Sequence, residues 1–148
     1  MKVVIQKCKG ASVSVDNKLI NKIDSGLCIL VGISVDDTSS DVSYMVNKVL
    51  NLRIFDDENN VMNKSILDVG GEILSISQFT LQADTRKGNR PSYINAMKGE
   101  DAINLYEEFN RELNKSIKTY PGVFGADMLI NILNDGPTTI IIDSKKTA

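Results

Sequence analysis

The sequence predicts a single α+β domain over residues 1–148, with a largely antiparallel, barrel-like β-sheet and two main helices. Three observations lead to this class. Strand-like apolar segments come in runs toward both ends of the chain, and two stretches between them carry apolar residues at helical spacing. No linker, repeat or low-complexity tract divides the 148 residues, a length that suits one domain.

The elements follow in order. Val3, Val4 and Ile5 begin a strand, and Ala11, Val13 and Val15 alternate with Ser12, Ser14 and Asp16 at the period of a half-buried strand. Asp16-Asn17 supplies a turn, after which Leu19, Ile20 and Ile23 open another strand. Leu27-Cys28-Ile29-Leu30-Val31-Gly32-Ile33 is apolar throughout, as a central strand covered on both faces would be.

Thr38 and Asp41 fit a helix-capping pattern. Val42, Met45, Val46, Val49 and Leu50 then share one helical face. Leu52-Arg53-Ile54-Phe55 is read as a short strand, closed by the acidic loop Asp56 to Asn60. That loop lacks the glycine and terminal glutamate of an EF-hand, so calcium is not expected there. Gly70-Gly71 turns the chain into a strand over Glu72–Phe79.

A second amphipathic helix spans about Gly99 to Lys115, with Ala102, Leu105, Tyr106, Phe109 and Leu113 as its buried stripe. Glu100 and Asp101 in its first turn and Lys115 near its end suit the helix dipole. Residues 122–134 read as one long strand, bent at Gly125, and Thr138 to Ile142 as its successor.

Composition excludes several function classes. With 42% hydrophobic and 24% charged residues, the chain has the balance of an ordinary globular protein. It holds no apolar run near the roughly 20 residues that span a bilayer. Its first residues turn polar too soon for a signal peptide, and a cytoplasmic protein is expected. Cys8 and Cys28 lie in apolar segments without metal or redox spacing, and they read as reduced, buried thiols.

The chain has no histidine. That removes Ser-His-Asp and Cys-His catalysis, which need imidazole as base, and it removes histidine-ligated metal sites. No metal or cofactor is expected. An enzyme built from this chain would rely on carboxylates, lysine, substrate groups or backbone dipoles. The net charge of −2 gives no global attraction to nucleic acid. The densest basic stretch is Arg86-Lys87-Gly88-Asn89-Arg90, which from charge alone reads as a solvated loop.

Two segments stand where a strand hands over to a loop: Ser77-Gln78-Phe79-Thr80-Leu81 and Asn134-Asp135-Gly136-Pro137-Thr138-Thr139. Backbone N–H groups at a strand end can leave the ladder and face a ligand, as an oxyanion requires. Taken alone, the first segment is more often structural than catalytic. Gly136-Pro137 taken alone is more often a trans turn than a cis bond.

In combination these stretches resemble the D-aminoacyl-tRNA deacylase family. The matching motifs are Leu67–Ile73, Ser77–Leu81, Ala83–Gly88, Gly122–Met128, Asn134–Pro137 and Thr139, in order and over nearly the whole chain. The resemblance implies a homodimer with one site per subunit at the interface. Ser77, Gln78, Phe79 and Thr80 would line the catalytic pocket for the aminoacylated 3′-terminal adenosine of a tRNA. Gly136 and Pro137 of the partner subunit would enter as a cis peptide and reject L-amino acids sterically, with Lys7 and Asn134 beside them. Glycyl-tRNA, having no side chain to reject, would also be accepted. Arg86, Lys87 and Arg90 become candidate phosphate contacts, and neither a membrane nor a DNA partner is expected.

The expected reaction is attack of water on the ester, with backbone N–H groups near Phe79 and Thr80 holding the oxyanion. A nucleophilic Thr80 is the alternative. Lys7 stands where the family commonly has arginine, and lysine lacks the planar fork. Thr138 stands where a more apolar residue is common. Both bear on the stringency of chiral rejection.

Overall fold

The computed structural model describes residues 1–145. The first hairpin joins β1 (Lys2–Val15) and β2 (Lys18–Ile23), and β3 (Gly26–Gly32) returns along β1. Helix α1 (Ser39–Asn51) follows, then a small ribbon of β4 (Phe55–Asp56) and β5 (Met62–Lys64), and the single turn α2 (Ile66–Val69). Next come β6 (Glu72–Ser77), a 3₁₀ turn (Phe79–Gln82), α3 (Gly99–Asn114), β7 (Thr119–Pro121) and β8 (Leu129–Asp143).

The main sheet runs β2-β1-β3-β6-β7, with β8 on the other side of β1. Pairings of β1 with β2, β3 and β8 are antiparallel. Those of β3 with β6 and of β6 with β7 are parallel. Parallel neighbours need long crossovers, and here α1 and α3 lie on them. The sheet curls until the Asn21 amide of β2 donates to the Pro121 carbonyl of β7 at 2.6 Å. A side chain bridges where the backbone ladder does not close.

Period-two alternation sorts side chains into two cores. Ile5, Ile29 and Ile73 face α1 and α3, where Met45, Val49, Phe109 and Leu113 are fully buried. Cys8, Cys28, Leu74 and Ile76 face the inside of the curled sheet with Val13 and Ile23. Both cysteines are free and buried, and burial pushes the Cys28 thiol up to about 12. Helix α1 carries the expected capping box between Thr38 and Asp41.

The chain start is drawn into this frame. The Met1 ammonium is buried, donating to Asp37 Oδ1 at 2.6 Å and to Ser144 Oγ at 2.9 Å. The Ser144 hydroxyl donates in turn to Asp41 Oδ1 at 2.7 Å.

Several expected elements are redrawn. Leu52 caps α1, and Leu52–Ile54 lie outside any strand, because only Phe55 and Asp56 find a ladder partner. Residues 122–128 are not strand but a loop, turned at Gly125 with φ +79°. The strand begins at Leu129 and runs without a break to Asp143, so the segment 134–139 lies within one strand rather than between two. The two apolar runs at the start of the chain likewise form the single strand β1.

The carboxylate of Asp57 in the acidic loop accepts the N–H groups of Asn59 and Val61. It closes a turn, which lowers its pKa. None of the helices among the described residues is long and apolar enough to cross a membrane.

Candidate active site

Strand β6 ends at Ser77, and the Gln78 N–H continues its parallel ladder by one bond to Val31 O, at 2.7 Å. The chain then bends into the 3₁₀ turn, closed by Leu81 N–H to Gln78 O (3.2 Å) and Ala83 N–H to Thr80 O (3.1 Å). The first amides of a helical turn have no partner within it. Accordingly the Phe79 and Thr80 N–H groups meet no acceptor among the described residues.

The turn is held from beneath. Gln82 Nε2 donates to Gly32 O at 2.9 Å, and Lys2 Nζ to Leu81 O at 3.2 Å. Gly32 fits because it lacks a side chain: a Cβ there would stand 2.8 Å from Leu81 Cβ and 3.0 Å from Gln78 O.

A cleft of about 560 Å³ opens beside this turn. Ser77, Gln78 and Phe79 form one wall, Gly99 and Ala102 of α3 another, and the loop Phe124–Met128 the third. The floor is apolar, from Val31, Ile33, Ile76 and Ile130. Among the described residues, Asp127 is the one titratable residue on the lining, and it is exposed. Behind the walls the Tyr106 hydroxyl donates to Ser75 O at 2.6 Å, two residues before Ser77, and its ring lies 5.7 Å from that of Phe124.

Thr80 is the second residue of the 3₁₀ turn. Its hydroxyl oxygen accepts a hydrogen bond from the Gln78 side-chain amide, which offers a proton rather than taking one.

The second segment is a bulge. Along β1 and β8, Gln6 pairs with Thr139 and Cys8 with Asn134, which leaves Asp135, Gly136, Pro137 and Thr138 opposite Lys7 alone. The Gly136–Pro137 bond is cis, and both residues are exposed. The Thr139 hydroxyl donates to the Gln6 side chain. The Asn134 amide nitrogen lies 3.8 Å from where a Cβ on Gly136 would stand. Thr138 is buried, and its hydroxyl meets no partner among the described residues.

Lys7 sits under the bulge. Its side chain is 11% exposed, 3.7 Å from Asp135 Oδ2 and 5.8 Å from the centre of the Phe55 ring. Lys7 and Asp135 line a different cleft, of about 820 Å³. A single chain therefore does not bring Ser77–Thr80 together with Gly136–Pro137.

The basic loop is only partly free. Arg86 is held by Asp84 through two hydrogen bonds of 2.9 and 2.7 Å, which pull the Asp84 carboxyl down to about 2. Lys87 and Arg90 are exposed and have no carboxylate partner among the described residues. From sequence, Gly32 reads as part of a central strand, Tyr106 as helix core and Gly122–Met128 as a matching motif, none of them with a place in the site. No group of three or more acidic or cysteine side chains gathers at a possible metal position among the described residues.

Comparison with known proteins is consistent in fold and in sequence. A family model described as D-Tyr-tRNA(Tyr) deacylase matches residues 4–143. A D-aminoacyl-tRNA deacylase of Flavobacterium psychrophilum is 56% identical over 149 residues, covering 98% of each chain. One of Clostridium novyi is 56% identical over 150 residues, covering 99% of each. Among solved structures, one described as c-Myc DNA unwinding element binding protein superposes with TM-score 0.92 at 44% identity, covering 97% of this chain and 98% of that one. Another, described as "a probable eukaryotic D-amino acid tRNA deacylase", shares the fold with TM-score 0.82 at 17% identity, covering 95% and 97%.

Proposed function

The chain belongs to the D-aminoacyl-tRNA deacylase family, and from that premise we propose how its own residues hydrolyse the ester of a D-aminoacyl-tRNA. The 3′-terminal adenosine lies in the cleft beside Ser77–Thr80. Water attacks the ester carbonyl, and the Phe79 and Thr80 N–H groups receive the developing oxyanion. The 2′-hydroxyl of the terminal ribose relays the proton, which a site without histidine needs. The observation that carries this reading is the pair of unpartnered N–H groups at the edge of an apolar cleft. Such fixed donors stabilise charge where it develops in the transition state.

Chirality is checked by a second copy of the chain. Gly136 and Pro137 of the partner subunit enter the cleft and meet an L-side chain, whereas a D-side chain points away. Glycine has nothing to reject, so glycyl-tRNA(Ala) is cleaved too. Two observations support an assembly in trans. The bulge projects from its own protomer into solvent, and β8 is an edge strand carrying Leu129, Leu133 and Ile141 at 70%, 66% and 63% exposure. Exposed apolar surface of this kind marks a contact face.

A DNA-binding role is not favoured. The net charge of −2 offers no global attraction to a polyanion. Incubation of the purified protein with D-aminoacyl-tRNA tests the reading: release of the free D-amino acid is expected, and an ester that persists as long as it does without protein would overturn it.

A further inference from the structure

A patch beside the cleft is left unexplained by hydrolysis of the terminal ester. Phe79, which lines the cleft, packs edge-on against Tyr93, with ring centres 5.1 Å apart and planes at 66°. The two aromatic rings are exposed, Phe79 to 57% and Tyr93 to 39%, and Ile94 beside them is 79% exposed. An edge-on pair leaves aromatic face open to a further planar group.

The backbone places this patch against the basic loop. Asp84 and Ser92 bond each other twice through their backbones, at 2.8 and 2.9 Å. They close residues 85–91 into a loop, with Tyr93 immediately after its base. Lys87 and Arg90 lie in that loop, exposed and without carboxylate partners among the described residues. The segment is anchored on its other side by Val35 N–H to Asn95 O and Met97 N–H to Ile33 O, at 2.9 and 3.0 Å. The rings are thus held on a fixed support.

Open aromatic faces beside unpaired cations are the means by which proteins hold single-stranded nucleic acid. Bases stack on the rings, and the cations follow the phosphates. We propose that Tyr93 and Ile94, with Lys87 and Arg90, form a platform for the unpaired cytidines that precede the terminal adenosine of a tRNA. The proposal rests on the ester-hydrolase reading for the position of that adenosine. It extends the site by at least one nucleotide, and Phe79 joins the two parts.

Two measurements on the intact protein test it. One is the binding of the unacylated trinucleotide cytidine-cytidine-adenosine against adenosine alone. The other is hydrolysis of a D-aminoacyl ester on each. The platform predicts that the wild type favours the trinucleotide by roughly tenfold or more, the worth of one base stacked on an aromatic ring. Tyr93→Ala should reduce that ratio to near one, and Tyr93→Phe should keep it. The ratio is internal to each variant, so any disturbance of Phe79 in Tyr93→Ala cancels.

A wild type without preference, or a Tyr93→Ala protein that keeps it, would overturn the platform. A change of oligomeric state in Tyr93→Ala with the preference intact would likewise overturn it, marking the patch as a contact between copies. A wild type that prefers the trinucleotide in binding but cleaves neither ester would sink the hydrolase reading and leave the platform standing.

Discussion

The side-chain amide of Gln78 donates to the hydroxyl oxygen of Thr80. Among the described residues, the group bonded to that hydroxyl is therefore a proton donor. If water is the nucleophile, Thr80→Val should hydrolyse D-aminoacyl-tRNA within about fivefold of the wild-type rate, the worth of one ordinary hydrogen bond. Loss of an essential nucleophile would instead cost on the order of 10⁴-fold or more. Single-turnover rates distinguish the two.

Gly32 and the 3₁₀ turn fit together only without a Cβ. In Gly32→Ala the added carbon would meet Leu81 Cβ at 2.8 Å and Gln78 O at 3.0 Å. Both belong to the turn that carries the free amides. Overpacking of this kind costs about 1–3 kcal/mol. Displacing oriented donors by a fraction of an ångström lowers kcat/KM by roughly ten- to a hundredfold. Urea unfolding and steady-state kinetics on one preparation measure both effects.

Lys7 supports the bulge within the same chain through Asp135, 3.7 Å away. Asp135 is 35% exposed, so solvent screens the pair and its contribution is about 1 kcal/mol. Lys7→Met should loosen the bulge and raise cleavage of the L-ester roughly fivefold, with little change for the D-ester. Lys7→Arg should keep or tighten selection, because its fork can engage the carboxylate with two bonds. Parallel D- and L-ester rates for the three proteins check this.

Asp41 gives the fold a pH dependence with a definite sign. Burial alone would raise its pKa. The Thr38 N–H, the Ser144 hydroxyl and the Lys145 ammonium together hold it down at about 2. A carboxyl whose folded pKa lies below its unfolded value stabilises the protein above the unfolded value, near 4, and loses that contribution as pH falls toward 2. The amount is on the order of 2 kcal/mol. Unfolding free energies from pH 5 to pH 2 should fall more steeply for the wild type than for Asp41→Asn.

Much of the fold was legible because its cores obey simple periods. The helical stripe Val42, Met45, Val49 and Leu50, the capping pair Thr38 and Asp41, and the apolar run Leu27–Val31 are all read from spacing alone. What escaped depends on distant partners. Leu52–Ile54 has the composition of a strand but no neighbour to pair with. Residues 122–128 look like a strand because Val123, Phe124 and Met128 are apolar, yet those side chains and Gly125 build a wall of the cleft.

The bulge at 135–138 is visible only in register. Lys7 alone stands opposite four residues, and no local pattern in either strand announces that mismatch. The site was legible as motifs rather than as geometry. Ser77–Thr80 could be named, but that its two amides are free, and that Gly32 and Tyr106 stand behind it, required the structure. Likewise Arg86 reads from sequence as a candidate phosphate contact, and the Asp84 carboxylate bonded to it is visible only in the structure.

The central claim is that this chain hydrolyses aminoacyl-tRNA and selects by handedness through Gly136 and Pro137 of the partner subunit. The most direct test charges one tRNA with the two hands of a single amino acid, and tRNA(Ala) with glycine, and follows each ester with purified protein. The account predicts rapid loss of the D-ester and the glycyl ester, while the L-ester persists at its spontaneous rate. Equal loss of the D- and L-esters, or persistence of all three, would contradict it.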